Sequence, residues 1–225
     1  MDAIASASPR LLARIYGALY LVNIVAGAFA LGIVPSLLVV SGDPAATAHN
    51  IQTHELLYRS GLAAHLLVTV TNVPGAVIFY ELMKVVNRRL ALLDLVLGLV
   101  ATTLEAASLL GAQGDLTASG YPLYTVFYGI DFFVVAYLII NSTFLPRVIG
   151  VLLAIDGLGY VFNSFATLLA PGFAAHLTPW IQLPILPAEG SLCLWMLLIG
   201  VNVERWKEQA KAAIKAWSSP AELLA

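Results

Sequence analysis

Leu145 to Phe165 reads LPRVIGVLLAIDGLGYVFNSF, an apolar run with Asp156 and Asn163 inside it. Its length is that of a helix crossing a bilayer, about 20 residues. Asp156 and Asn163 stand two helical turns apart and share a face with Gly159 and Tyr160. A carboxylate turned to lipid costs about 2.5–3.5 kcal/mol on insertion scales. The stripe therefore has to face protein or a water-filled cavity, and the rest of the chain reads as the wall around it.

Working outward, the composition agrees. The 225-residue chain is 60% hydrophobic and 11% charged, with a mean hydropathy of +0.89, too apolar for a soluble domain of this size. Apolar runs at 12–34, 57–83, 90–111, 122–142, 147–170 and 185–203 predict six spans. The expected fold class is all-α: a polytopic membrane bundle of six transmembrane helices. A short outer amphipathic helix and a C-terminal cytoplasmic amphipathic helix complete it. Residues 1–205 are read as the six-helix transmembrane domain, and 206–225 as a cytoplasmic interfacial helix and tail.

The basic residues set the expected orientation. Arg10 and Arg14 precede the first span; Lys84, Arg88 and Arg89 follow the second; Arg147 lies between the fourth and fifth; Arg205, Lys207, Lys211 and Lys215 follow the sixth. Only Arg59 falls on the opposite side. The positive-inside rule then predicts a multi-pass protein of the cell inner membrane with both termini cytoplasmic. Thiol labelling of Asn87→Cys and Ser119→Cys checks this: the two are expected to react from opposite sides, Ser119→Cys from outside. Labelling of both from one side would overturn it.

The first span reads as a retained helix rather than a cleaved leader, despite Ala28-Phe29-Ala30. Its apolar run is long, and Tyr16, Tyr20, Asn23 and Gly27 make a packing stripe. Asp43 as N-cap and Pro44 at the first helical position predict an outer helix. Continued into the second span, it would align His54, Tyr58, Gly61, His65, Thr69 and Asn72, with Pro74 kinking the span. The third span carries Asp94, Gly98, Thr102 and Glu105 on one face; the fourth Tyr124, Tyr128 and Asp131; the sixth Glu189, Cys193, Met196 and Gly200. Trp206, Ala210, Ala213, Ile214 and Trp217 predict the apolar face of the terminal helix, with Lys207, Lys211 and Lys215 toward anionic headgroups. Gly17 to Asn23 and Gly157 to Asn163 share the pattern G-x-x-Y-x-x-N.

The ionisable residues within the spans are His65, Asp94, Glu105, Asp131, Asp156 and Glu189, with no deep lysine or arginine. Such an interior holds neutral carboxyls joined by hydrogen bonds, or binds a proton, a metal cation or a cationic ligand. Helical rise places His65, Glu105, Asn163 and Glu189 at a similar depth in the outer third, where they are expected to converge. The candidate ligand- or cation-binding residues are His65, Glu105, Glu189, Asn163, Asp156, Asp131, Asn72, Asn23 and Tyr160. A divalent metal is a candidate cofactor, with His65, Glu105, Glu189 and His54 as ligands. His54-Glu55-Leu56-Leu57-Tyr58 has tyrosine where the zincin helix has its second histidine, so that motif fails. Asp156→Asn is expected to be tolerated, and Asp156→Leu to cost about 1–3 kcal/mol by stranding buried partners.

The chain also resembles the uncharacterised bacterial membrane family known as domain of unknown function 4386. The matching stretches are Arg14 to Asn23, Ala45 to Arg59, Val86 to Ala91, Leu145 to Asn163 and Pro187 to Trp195. It departs ahead of the third-span glutamate, where such proteins often carry an arginine and this chain has Ala101-Thr102-Thr103-Leu104. The resemblance implies six helices, names no activity and supplies no catalytic residues.

With a single cysteine, Cys193, there is no intramolecular disulfide. No phosphate loop, dinucleotide fingerprint or nucleophile elbow occurs, and no basic patch suits nucleic acid. The motifs weigh against an enzyme. The leading reading is a protein that binds or moves a small solute, proton or cation in a polar outer-leaflet cavity. The alternatives are an intramembrane metal-dependent enzyme using the His/Glu cluster, and a non-catalytic subunit of a membrane complex. The expected partners are the lipid bilayer, a small molecule or cation, and a second copy of the chain.

Overall fold

The computed structural model describes residues 8–111, 124–181 and 183–217. Ser119 and the start of the fourth expected span lie outside them. The chain is an all-α polytopic bundle.

Helix α1 (Pro9–Leu38) starts as its sequence dictates: the Ser8 side chain accepts from Leu11 N–H at 3.2 Å, and Pro9 follows. It widens into a π turn over Ala28–Ile33, where Val34 N–H reaches back to Phe29 O. Pro35 lacks the N–H that would continue the regular ladder there. Asp43 caps α2 (Pro44–Thr53), accepting from Ala46 N–H at 2.9 Å. Thr47 and Asn50 pin α2 to the end of α1: Thr47 Oγ1 accepts from Val40 N–H, and Asn50 Nδ2 donates to Leu38 O.

The chain breaks at His54 before α3 (Glu55–Met83), so the expected continuous stripe loses its first member. His54 is exposed, whereas Gly61, His65 and Thr69 are buried. Pro74 lies inside α3 without ending it. Then come α4 (Arg88–Gly111), α5 (Tyr124–Asn141) and α6 (Arg147–Leu169). A helix absent from the sequence reading, α7 (Pro171–Ile181), follows and packs on α6, with Ile181 against Gly159. Its 11 residues are too few to announce a span, and Pro171 reads equally as a loop.

Helix α8 (Ile185–Ile199) is shorter than the expected 185–203 and ends in a π turn. Gly200 takes φ +75°, and α9 (Val203–Trp217) leaves at 102°. The terminal helix thus begins at Val203 rather than 206. Trp206 packs against the core and its indole N–H donates to Leu82 O at 3.0 Å; Lys207, Lys211 and Lys215 are exposed. Five of the described helices are individually long and apolar enough to cross a membrane; the bent α8–α9 pair would make a sixth if it counts as one broken span.

Six helices close a ring in the order α1, α3, α4, α5, α6, α8. The most extensive seam joins α5 and α6, where Gly129 meets Gly157 and Gly150 meets the Ala136 carbonyl. Small residues let the backbones approach. Outward-facing Val70, Val148 and Leu158 are more than half exposed, as a lipid-facing surface requires. Ten of the basic residues gather at one end of the bundle, here the basic end. Leu82, Met83, Leu138, Ile139, Leu153 and Met196 fill the interior there with almost no exposure. Beyond that packed end the ring surrounds a partly open cavity.

Candidate functional site

Four of the carboxyls predicted to be interior line one cavity of about 610 Å³: Asp94 and Glu105 from α4, Asp131 from α5 and Glu189 from α8. Among the described residues that line it there is no lysine or arginine. Helical rise places Glu105 about 25 Å along α4 from Arg88 and Asp94 only about 9 Å, so the cavity runs through much of the bundle.

Glu105 sits in the most connected cluster. Its Oε1 lies 3.0 Å from His65 Nε2, and its Oε2 accepts from Tyr128 O–H at 2.7 Å. Tyr128 has one proton, and Glu105 takes it. The tyrosine oxygen therefore accepts from Asn72 Nδ2 at 3.0 Å and from Thr102 Oγ1 at 3.1 Å. Three helices are tied through one buried carboxylate.

Glu189 is satisfied differently. Tyr20 O–H donates to its Oε2 at 2.8 Å, and Tyr160 O–H donates to its Oε1 at 3.2 Å. These are the two tyrosines of the repeated G-x-x-Y-x-x-N pattern, brought from α1 and α6 onto a single acceptor. The first repeat's asparagine, Asn23, donates to Thr71 Oγ1 at 2.8 Å on the same cavity wall.

The third cluster is the carboxyl pair Asp94 and Asp131, which line the same cavity and lie close enough for their charges to act on each other. Asp131 is only 8% exposed, and its Oδ1 has no hydrogen-bond partner among the described residues. Gly98 faces it: a Cβ there would stand 3.6 Å from Asp131 Oδ2, an ordinary van der Waals contact.

The expected convergence is thus reached by some residues and not by others. Glu105, Glu189, Asp131, Asn72, Asn23 and Tyr160 line the cavity, and His65 stands behind Glu105. Asp156 and Asn163 are buried in the bundle, as their shared stripe predicted, but neither lines the cavity. The four expected metal ligands do not form one cluster: His65 meets Glu105, Glu189 faces the two tyrosines, and His54 lies exposed beside Asn50 O. Among the described residues no three His, Cys, Asp or Glu side chains are placed to hold an ion. The site reading omitted Asp94, Tyr20, Tyr128 and Thr102, although each stands on a polar stripe. Nothing in the helical spacing said which stripe member would meet which.

Asp156 reverses an expectation. Neither of its oxygens has a hydrogen-bond partner among the described residues, at 1% exposure. There are no buried donors for an apolar substitution to strand. Removing an unsatisfied buried carboxyl is now expected to stabilise the fold by about 1–3 kcal/mol. Asp156→Val, an apolar residue of similar size, should melt above the parent protein, and Asp156→Asn should not. A Val variant that melts lower would restore the expected interior contact.

No curated protein and no solved structure matches the chain. One family model does, over residues 15–117 and 112–200, which is most of the chain. The helical bundle with its acidic cavity therefore belongs to a family described as a domain of unknown function, DUF4386.

Proposed function

We propose that this is a multi-pass protein of the cell inner membrane, with both termini cytoplasmic, that binds a small cation in its acidic cavity. The observation that carries the reading is Asp131. Asp131 lines the cavity beside a second carboxyl, one of its oxygens is buried without a hydrogen-bond partner among the described residues, and no described lining residue is lysine or arginine. Two carboxyls in contact hold a proton between them or take a cation in its place. Glu105 and Glu189 already have donors on both oxygens, so Asp94 and Asp131 are where a positive charge is missing. The gathering of ten basic residues at one end supports the orientation. In that orientation the closed, packed end of the bundle faces the cytoplasm. Movement of the cation across the membrane would require that core to open.

Thermal unfolding in lipid nanodiscs tests the binding. Sodium, potassium, magnesium and methylammonium chlorides are titrated separately against the parent protein and Asp131→Asn. At a hundredfold excess over its dissociation constant, a bound cation should stabilise the fold by about 2.7 kcal/mol. The shift should vanish in the variant. A parent protein indifferent to every cation, or a variant that responds like the parent, removes the proposal.

A further inference from the structure

We infer that the cation is the amine end of a single-chain amphiphile, seated with its ammonium at Asp94 and Asp131 and its hydrocarbon chain along α1. The inference rests on the cation reading above and names the class of ligand.

Size is the first argument. A cavity of about 610 Å³ lies within the range of about 300–1,000 Å³ typical of pockets for organic ligands. A bare ion would leave most of it empty.

The second argument is the wall. A hard cation such as magnesium or calcium needs about six or more oxygen ligands. Here the other polar groups are engaged with one another: Glu105 with His65 and Tyr128, Glu189 with Tyr20 and Tyr160, Asn23 with Thr71. Among the described residues that line the cavity, Asp131 Oδ1 is a buried acceptor without a hydrogen-bond partner. An ammonium group, with three N–H donors, is suited to two neighbouring carboxyls. Between the polar groups, Leu19, Ile24, Leu31, Val68 and Leu186 line the cavity with hydrocarbon from α1 and its neighbours. Apolar surface of this kind is covered favourably by an alkyl chain, not by a hydrated ion.

The third argument is glycine. Gly75 and Gly190 line the cavity within helices, where glycine is a poor residue. Neither has a positive φ, since only Gly42 and Gly200 do among the described residues. A Cβ on either would meet nothing within 4 Å, so no neighbouring helix needs them bare. Backbone and packing give no reason for glycine at these places. What the missing side chains preserve is the space.

Isothermal titration into nanodiscs, with empty nanodiscs subtracted, decides the matter. The probes are methylamine, n-octylamine and n-octanol. Octylamine is expected to bind at least tenfold more tightly than methylamine, and octanol not at all. Gly75→Leu and Gly190→Leu should weaken octylamine at least tenfold and leave methylamine within about threefold. Gly75→Ala, melting no lower than the parent, shows that the position tolerates a side chain. Equal affinity for the two amines, or leucine variants that bind octylamine unchanged, would overturn the amphiphile and leave the cation reading in place. Failure of both amines to bind would overturn the amphiphile, and silence toward the inorganic cations as well would remove the cation reading beneath it.

Discussion

Gly157→Val is expected to destabilise the bundle by more than about 3 kcal/mol, with Gly157→Ala costing about 1–3 kcal/mol. A Cβ at this position would lie 2.7 Å from Gly129 O and 3.1 Å from Phe132 Cβ. The obstacle is a backbone carbonyl on a neighbouring helix, so no rotamer change relieves it. The α5–α6 seam has to open instead, and with it the placement of Asp131 and Tyr160 on the cavity wall. Gly129 faces the reciprocal contact, 2.9 Å from Gly157 O, so Gly129→Val should fail in the same way. Gly75→Ala is the internal control, expected to be neutral or to stabilise by about 0.4–1 kcal/mol, because nothing stands where its Cβ would go. Unfolding in nanodiscs or mild detergent measures all of these. A Gly157→Val protein that melts with the parent would show that the seam is not a close backbone crossing.

The second large effect is at Glu105. Glu105→Leu should cost about 3–5 kcal/mol, because it leaves the buried His65 Nε2 and Tyr128 O–H without their acceptor. The damage spreads, since Tyr128 would be free to turn its proton elsewhere and disturb Asn72 and Thr102. Glu105→Gln keeps one acceptor oxygen and should cost less. A double-mutant cycle with His65→Ala isolates the pair, with an expected coupling of about 0.5–3 kcal/mol. Coupling near zero would mean that His65 and Glu105 touch without stabilising each other.

Much of this arrangement was legible in the chain, and the reason is the solvent. In lipid a buried carboxyl announces itself, because few residues may be polar at all. Hence the stripes containing Asp94 to Glu105, Asp131, Asp156 and Glu189 could be turned inward from periodicity alone. The apolar runs fixed five spans to within a few residues. What escaped was pairwise. Helical spacing places Tyr20 and Tyr160 on inward faces but does not say that both reach Glu189. Nor does it bring Gly129 onto Gly157, since a crossing point depends on how two helices tilt. The metal set failed for the same reason: similar depth is not contact, and Glu189 was claimed by tyrosines. Helix α7 was missed because an 11-residue apolar segment that starts at a proline has no bilayer-length signature. The early end of α8 was missed because a π turn leaves almost no mark on composition.

That early end bears on the membrane itself. The 15 residues of α8 rise about 22 Å, against a hydrocarbon layer of about 30 Å. The sharp turn at Gly200 and the hold of Trp206 on Leu82 prevent α9 from extending the span. Hydrophobic mismatch of this kind is relieved by thinning the bilayer locally or by drawing the flanking residues inward. The wall that carries Glu189 is thus matched to a thinner membrane than its five longer neighbours. Acyl-chain length becomes a mechanical load on α8, and through it on the cavity.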